Sequence, residues 1–123
     1  MRAFVLVAIA LVSAASAAAD DSTAINKLIA DINDAARTNK TRLLKIMVIN
    51  TDVAAATLEA EKSRTGLTFG DVYVAHSLAM ASHKTFNEMA ALKAGGQSWS
   101  KIAHMHKVSL RGSAHALKEM LKE

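Results

Sequence analysis

Histidine and methionine recur at helical spacing in the second half of the chain, and both side chains bind soft or borderline metals such as copper. His76, Met80 and His83 stand at i, i+4 and i+7, which places them on one face of a helix. This spacing predicts a copper-type site in which two or three of them share one ion. The competing interpretation is that the methionine fills the core and that the histidines are solvated at the surface.

Catalysis would need a nucleophile with a base, paired carboxylates or a glycine-rich phosphate loop. Glu59 and Glu61 face different sides of a helix, and Gly95-Gly96 is not followed by the Lys-Ser or Lys-Thr of a phosphate loop. The chain has no cysteine, which excludes thiol catalysis and thiolate metal sites. We therefore expect a protein that is not an enzyme.

A partial helix-turn-helix spacing lies near the C-terminus. Ile102-Ala103 is followed after four residues by Val108-Ser109, but Gly112 falls in the first turn of the would-be recognition helix and weakens it by about 1 kcal/mol relative to alanine. Two short helices packed at an angle give the same spacing. A DNA-binding helix-turn-helix domain is therefore an alternative only, and no nucleic-acid partner is expected.

The elements that position these residues begin with one local pattern that occurs three times: a hydroxyl residue, an aromatic residue, and an aliphatic residue four positions after the hydroxyl. Two copies also carry an acid three residues after the hydroxyl, which is the pattern of a capping box. The copies occupy residues 68–72, 85–89 and 98–102, and Lys101 replaces the acid in the third. Each copy predicts a helix start, and Gly95-Gly96 after Lys93 predicts a helix end.

The first half of the chain also predicts helices. Ser22 or Thr23 can cap a helix whose apolar stripe runs from Ile25 to Ala36. Residues 38–41 form a polar break, and the apolar run over residues 43–49 is interpreted as a buried helix rather than a strand. Cap formers at residues 50–52 then introduce an alanine-rich helix over residues 53–62 that ends before Gly66.

Trp99 is the only tryptophan, and it could be a core residue or an exposed anchor for a partner. Its place in the first turn of a short helix, before Ile102 and Ala103, favours the core.

Residues 1–19 have the three regions of a secretory signal peptide. Arg2 is followed by an uninterrupted apolar run over residues 3–12, which is too short to span a hydrocarbon core of roughly 30 Å. Small residues follow, with cleavage expected before Ala18 or Asp20. The alternative is a buried first helix, but such a helix should show polar residues on its outer face.

Composition agrees with one helical domain. Hydrophobic residues make up 51% of the 123 residues, aromatic residues only 4%, and proline is absent, so the core must come from aliphatic side chains at helical spacing. The formal net charge of +4 is spread along the chain without a dense basic block.

The segments Gly66-Leu67-Thr68-Phe69-Gly70-Asp71, Val74-Ala75 and Gly96-Gln97-Ser98-Trp99-Ser100-Lys101-Ile102-Ala103 resemble a family of small exported bacterial helical proteins of unknown function. The resemblance covers about a third of the chain, and its more specific part is the Gly-x-x-Trp-x-x-Ile-Ala segment. It implies export and a helical fold.

The sequence thus predicts an all-α protein, an irregular bundle of five to seven mostly short helices after a cleaved signal peptide. Residues 1–19 are the signal peptide and residues 20–123 a single helical domain, exported to the periplasm or secreted, with no stable membrane insertion after cleavage. The expected function is a non-enzymatic binding or structural module of the cell envelope, acting on an envelope protein or on itself. Copper binding through His76, Met80 and His83 is the alternative.

Overall fold

The computed structural model describes the backbone of residues 2–122 and the side chains of residues 22–110 and 114–122. Six helices and no strand occur in this part of the chain: α1 (Arg2–Thr51), α2 (Ala55–Thr65), α3 (Phe69–Ser82), α4 (Phe86–Ala94), α5 (Trp99–Met105) and α6 (Arg111–Lys122). The predicted all-α bundle is confirmed. The predicted leader, residues 1–19, lies outside the residues whose side chains are described, so its role as a signal peptide stays a prediction.

The predicted break at residues 38–41 is a kink inside α1. Asn39 has non-helical φ and ψ of −157° and 81°, and its Oδ1 accepts a hydrogen bond from the backbone N–H of Arg42 at 3.1 Å. Asn39 therefore acts as the N-cap of the segment that follows it, which leads into the buried residues Leu43 and Met47. The apolar run over residues 43–49 is helical, as predicted.

α3 is the central element of the bundle. It packs against α1, α2, α4 and α5, while α1 also packs against α5 and α6. Residues 72–79 of α3 are all buried, so the helix has no solvent face between Asp71 and Met80. A helix that is apolar all round must be enclosed by its neighbours.

The start of α2 differs from the prediction. Residues 50–52 do not cap it; Ala54 is the N-cap and makes no side-chain cap bond. Asp52 instead ends α1 with a left-handed φ of 58°, and the Thr51 hydroxyl donates back to the carbonyl of Met47 at 2.7 Å. Residues that resembled a helix start therefore terminate the preceding helix.

The three predicted N-caps are confirmed. Thr68 and Thr85 each form a complete capping box, with Asp71 and Glu88 respectively, and the Ser98 hydroxyl accepts from the N–H of Lys101 at 3.2 Å. The predicted end of α4 also holds, because Gly96 adopts a φ of 98° after Gly95.

Thr85→Ala should lower the free energy of unfolding by about 1 kcal/mol, because the first turn of α4 loses the acceptor of its Glu88 N–H bond. Thr57→Ala is the matched control, since Thr57 is exposed on α2 and its hydroxyl has no partner among the described residues. Urea denaturation of both variants measures the difference. Equal stabilities would contradict the cap assignment.

Candidate functional site

His76 lies inside the bundle, where three helices meet. Its side chain is on α3, its Nε2 lies 2.6 Å from Oε1 of Glu61 on α2, and its ring stacks on Phe86 of α4 with centroids 4.6 Å apart. The residue is 8% exposed, and both partner side chains are also largely buried. The Glu61–His76 pair joins α2 to α3. Each side chain stabilises the other, because a buried polar group is stable only with a hydrogen-bond partner.

Met80 and His83 lie in different surroundings from His76. Met80 is 48% exposed, and His83 is exposed at the end of α3. His83 adopts a left-handed φ of 58°, and the next N–H, of Lys84, bonds to the carbonyl of Ala79 at 2.9 Å. This Schellman-type ending turns the chain away from the helix, so His83 does not continue the face that carries His76 and Met80.

A metal would have to compete with Glu61 for Nε2 of His76. Among the side chains that the structure describes, no group of three or more His, Cys, Asp or Glu residues is arranged to hold a metal ion. Copper binding through His76, Met80 and His83 stays a prediction.

The His76–Glu61 pair also resembles the base and the orienting acid of a catalytic triad. Within residues 22–110 and 114–122, however, no hydroxyl is hydrogen-bonded to His76, so the nucleophile of such a triad is not part of the arrangement. Glu59, the second candidate carboxylate, points elsewhere and pairs with Lys40 at 2.9 Å. The geometry is that of a structural contact between helices.

An apolar groove lies between residues 24–28 of α1 and residues 103–118 near the other end of the chain, and we call it the terminal groove. Its volume is about 220 Å³. It is walled by α1, by α5 and the loop after it, and by α6. Its lining residues are Ala24, Ile25, Leu28, Ala103, Val108, Ser109, Leu110, Ala114, His115 and Lys118.

Local packing explains why this groove stays open. The lining residues Ile25, Leu28 and Leu110 are buried, whereas two others, Ala103 on α5 and Ala114 on α6, are small. Alanine leaves unfilled the space that a larger side chain would occupy. The open groove has a mainly aliphatic surface.

Among the described residues, the polar groups of the terminal groove stand mainly on its α6 wall. His115 and Lys118, three residues apart on α6, both line it, and such residues share one face of a helix. Ser109 adds a hydroxyl at the loop. A pocket with an apolar body and a few polar groups at one side suits an amphipathic ligand.

The stretch with helix-turn-helix spacing forms part of this groove. Ala103 on α5, and Val108 and Ser109 in the loop after it, all line the groove. Sequence reasoning missed the groove because its walls come from residues about 80 positions apart. One local signal was present: Ala103 directly follows the buried Ile102, and Ala114 stands three residues before the buried Leu117, so small residues occupy inward positions of α5 and α6.

A second, more open groove runs between α2 and α4. Its walls carry Glu61 and Phe86, and the guanidinium of Arg64 donates to Oδ1 of Asn87 across it at 3.0 Å. This exposed hydrogen bond links the two helices, and the groove is less enclosed than the terminal groove.

None of the helices in the described part of the chain combines the length and the apolar character needed to cross a membrane. Comparison with protein-family models, with curated proteins and with solved structures gives no match to this chain.

Proposed function

We propose that this protein is an exported, non-enzymatic binding module of the cell envelope that holds a small apolar molecule in the terminal groove. The observation that carries the proposal is the groove itself: about 220 Å³ of mainly aliphatic space that opens at the surface between α1, α5 and α6. Covering apolar surface that is open to water with a ligand lowers the free energy of the system, which favours binding.

The size of the groove favours one small molecule over a partner helix. A helix with its side chains is roughly 10–12 Å across, so even one or two turns would exceed the available volume. A dry apolar cavity of about 150 Å³ is enough to bind benzene. The terminal groove is larger than that and suits one alkyl chain or a small aromatic compound.

Export is the second part of the proposal, and the pattern of residues 1–19 supports it. Removal of these residues would leave an N-terminus at Asp20, four residues before Ala24 in the groove wall. At 1.5 Å per helical residue this is about 6 Å. The mature N-terminus would therefore lie about one helical turn from the groove wall.

The test is binding of N-phenyl-1-naphthylamine, a neutral dye whose fluorescence rises in apolar surroundings. Ala114→Phe places a ring in the groove and should weaken binding of this dye at least about tenfold, which corresponds to a loss of about 1.4 kcal/mol. The matched control is Ala116→Phe, because Ala116 is exposed on α6 and does not line the groove.

Both variants keep the apolar run of residues 3–12, so any dye bound there is the same in both. A difference in dye affinity between the variants therefore reports on the groove. Thermal melts establish that each variant is folded. Equal dye affinities in the two variants, or no saturable binding to the unmodified chain, would overturn the proposal.

A further inference from the structure

Among the described side chains that line the terminal groove, Lys118 carries the permanent charge. Lys118 is half-buried, and it lines both this groove and the neighbouring depression between α1 and α6. Within the described residues its Nζ has neither a hydrogen bond nor an ion pair, although many cations of this chain are paired. An ammonium group that has no partner is stabilised by an anionic one through a charge-assisted hydrogen bond.

The carboxylates that line that depression together with Lys118 are paired with other cations. Asp31 accepts from Lys27 at 3.5 Å, and Asp34 is paired with Arg37. On α6 itself, Glu119 is paired with Lys122 at 3.2 Å. Lys118 is therefore free to bind an anion brought by a ligand, and His115 stands beside it on the same wall as a second donor.

We propose that the ligand is a single-chain amphiphile with an anionic head, its alkyl chain in the terminal groove and its head at Lys118. This inference rests on the proposed function, since it specifies the ligand of the same groove. Ile25, Leu28 and Leu110 would contact the chain, and the polar wall of α6 would bind the head.

The experiment measures displacement of N-phenyl-1-naphthylamine from the full chain by hexanoate, octanoate and decanoate, below their micellar concentrations. Affinity should rise about fourfold per methylene group while the groove is filling, because each buried methylene contributes about 0.8 kcal/mol. Octanol and decanol are the neutral ligands of matched length. Decanoate should bind about tenfold more tightly than decanol, as expected for a charge-assisted hydrogen bond.

Lys118→Gln should remove this preference and leave decanol binding unchanged. Lys122→Gln is the matched control: it removes one positive charge from the same helix at a residue that does not line the terminal groove. In 1 M salt, where the screening length is about 3 Å, the preference of the unmodified chain for decanoate should shrink.

The outcomes separate the two proposals. If decanol and decanoate bind equally, or if Lys118→Gln and Lys122→Gln have the same effect, the anionic head group is disproved while the apolar groove stands. If neither ligand displaces the dye and Ala114→Phe does not weaken its binding, the proposed function itself fails.

Discussion

Replacing Trp99 with alanine should lower the free energy of unfolding by about 3 to 5 kcal/mol, the usual cost of truncating a large buried aromatic residue. The ring is 3% exposed, as the sequence predicted for a core residue. It also does more than fill space. Its Nε1 donates to Oδ1 of Asp71 at 2.8 Å, and the ammonium of Lys93 lies 5.5 Å from the ring centroid.

Asp71 connects the side chain of Trp99 to the first turn of α3. One oxygen of this carboxylate accepts from the indole of Trp99, and the other accepts from the backbone N–H of Thr68 in the capping box. Loss of the indole would therefore remove the contact that ties α5 to the first turn of the central helix.

Trp99→Phe separates the two contributions, because it keeps an aromatic ring in the core and removes the N–H donor. We expect it to cost about 1.5 kcal/mol, the lower end for a hydrogen bond to a charged group, since Asp71 is half-exposed and water can replace the indole. Urea denaturation of both variants gives the comparison. A Trp99→Ala protein within about 1 kcal/mol of the unmodified chain would show that the ring is not a core residue.

Local patterns predicted much of the fold because the signals that start and end helices act over a few residues. The hydroxyls of Thr68, Thr85 and Ser98 cap helices as expected, and the stops at Gly66 and Gly95-Gly96 lie where the sequence placed them. The pattern failed at Ser22 and Thr23, which lie inside α1 and start no helix, and at residues 50–52, where polar side chains suit either the end of one helix or the start of the next. The choice between a helix end and a helix start depends on how Met47 and Leu58 pack into the core, and this packing involves residues far apart in the sequence.

The candidate sites depended on contacts between distant parts of the chain. The spacing of His76, Met80 and His83 is real, but Glu61 of a different helix occupies Nε2 of His76. A local hint existed, since Glu61 follows the buried Leu58 by three residues and so shares its inward face. The terminal groove joins residues 24–28 to residues 103–118, and helical periodicity within either segment shows neither the groove nor its shape.

Gly70→Ala should lower the free energy of unfolding by about 3 kcal/mol, at the upper end for an overpacked site. A Cβ at Gly70 would lie 2.7 Å from Cγ2 of Ile29 and 2.8 Å from the Cα and the carbonyl oxygen of the same residue. Two of these three atoms belong to the α1 backbone, which cannot move aside as a side-chain tip can. A hydrogen bond from the Gly70 N–H to Oδ1 of Asn33 at 2.9 Å also stabilises the close contact between α3 and α1.

Two other glycines provide matched controls for the same substitution. Gly95→Ala should change stability by less than about 0.5 kcal/mol, because φ is −75° and the nearest atom to a Cβ, the carbonyl oxygen of Leu92, is 3.4 Å away. Gly66→Ala should cost about 1 kcal/mol, because φ is 76° and a Cβ is disfavoured in that conformation even in open space. Comparing the three variants separates the cost of the close contact between α1 and α3 from the cost of a left-handed backbone conformation.

The Gly70 substitution should also affect the terminal groove. Ile29 adjoins Leu28, and Ile25 lies one turn earlier on α1, so a shift of α1 away from α3 moves one wall of the groove. We therefore expect Gly70→Ala to weaken binding of N-phenyl-1-naphthylamine in the fraction that remains folded, whereas Gly95→Ala should leave it unchanged. If Gly70→Ala proves as stable as Gly95→Ala, α1 and α3 do not approach as closely as described, and the wall that α1 gives to the groove must be placed differently.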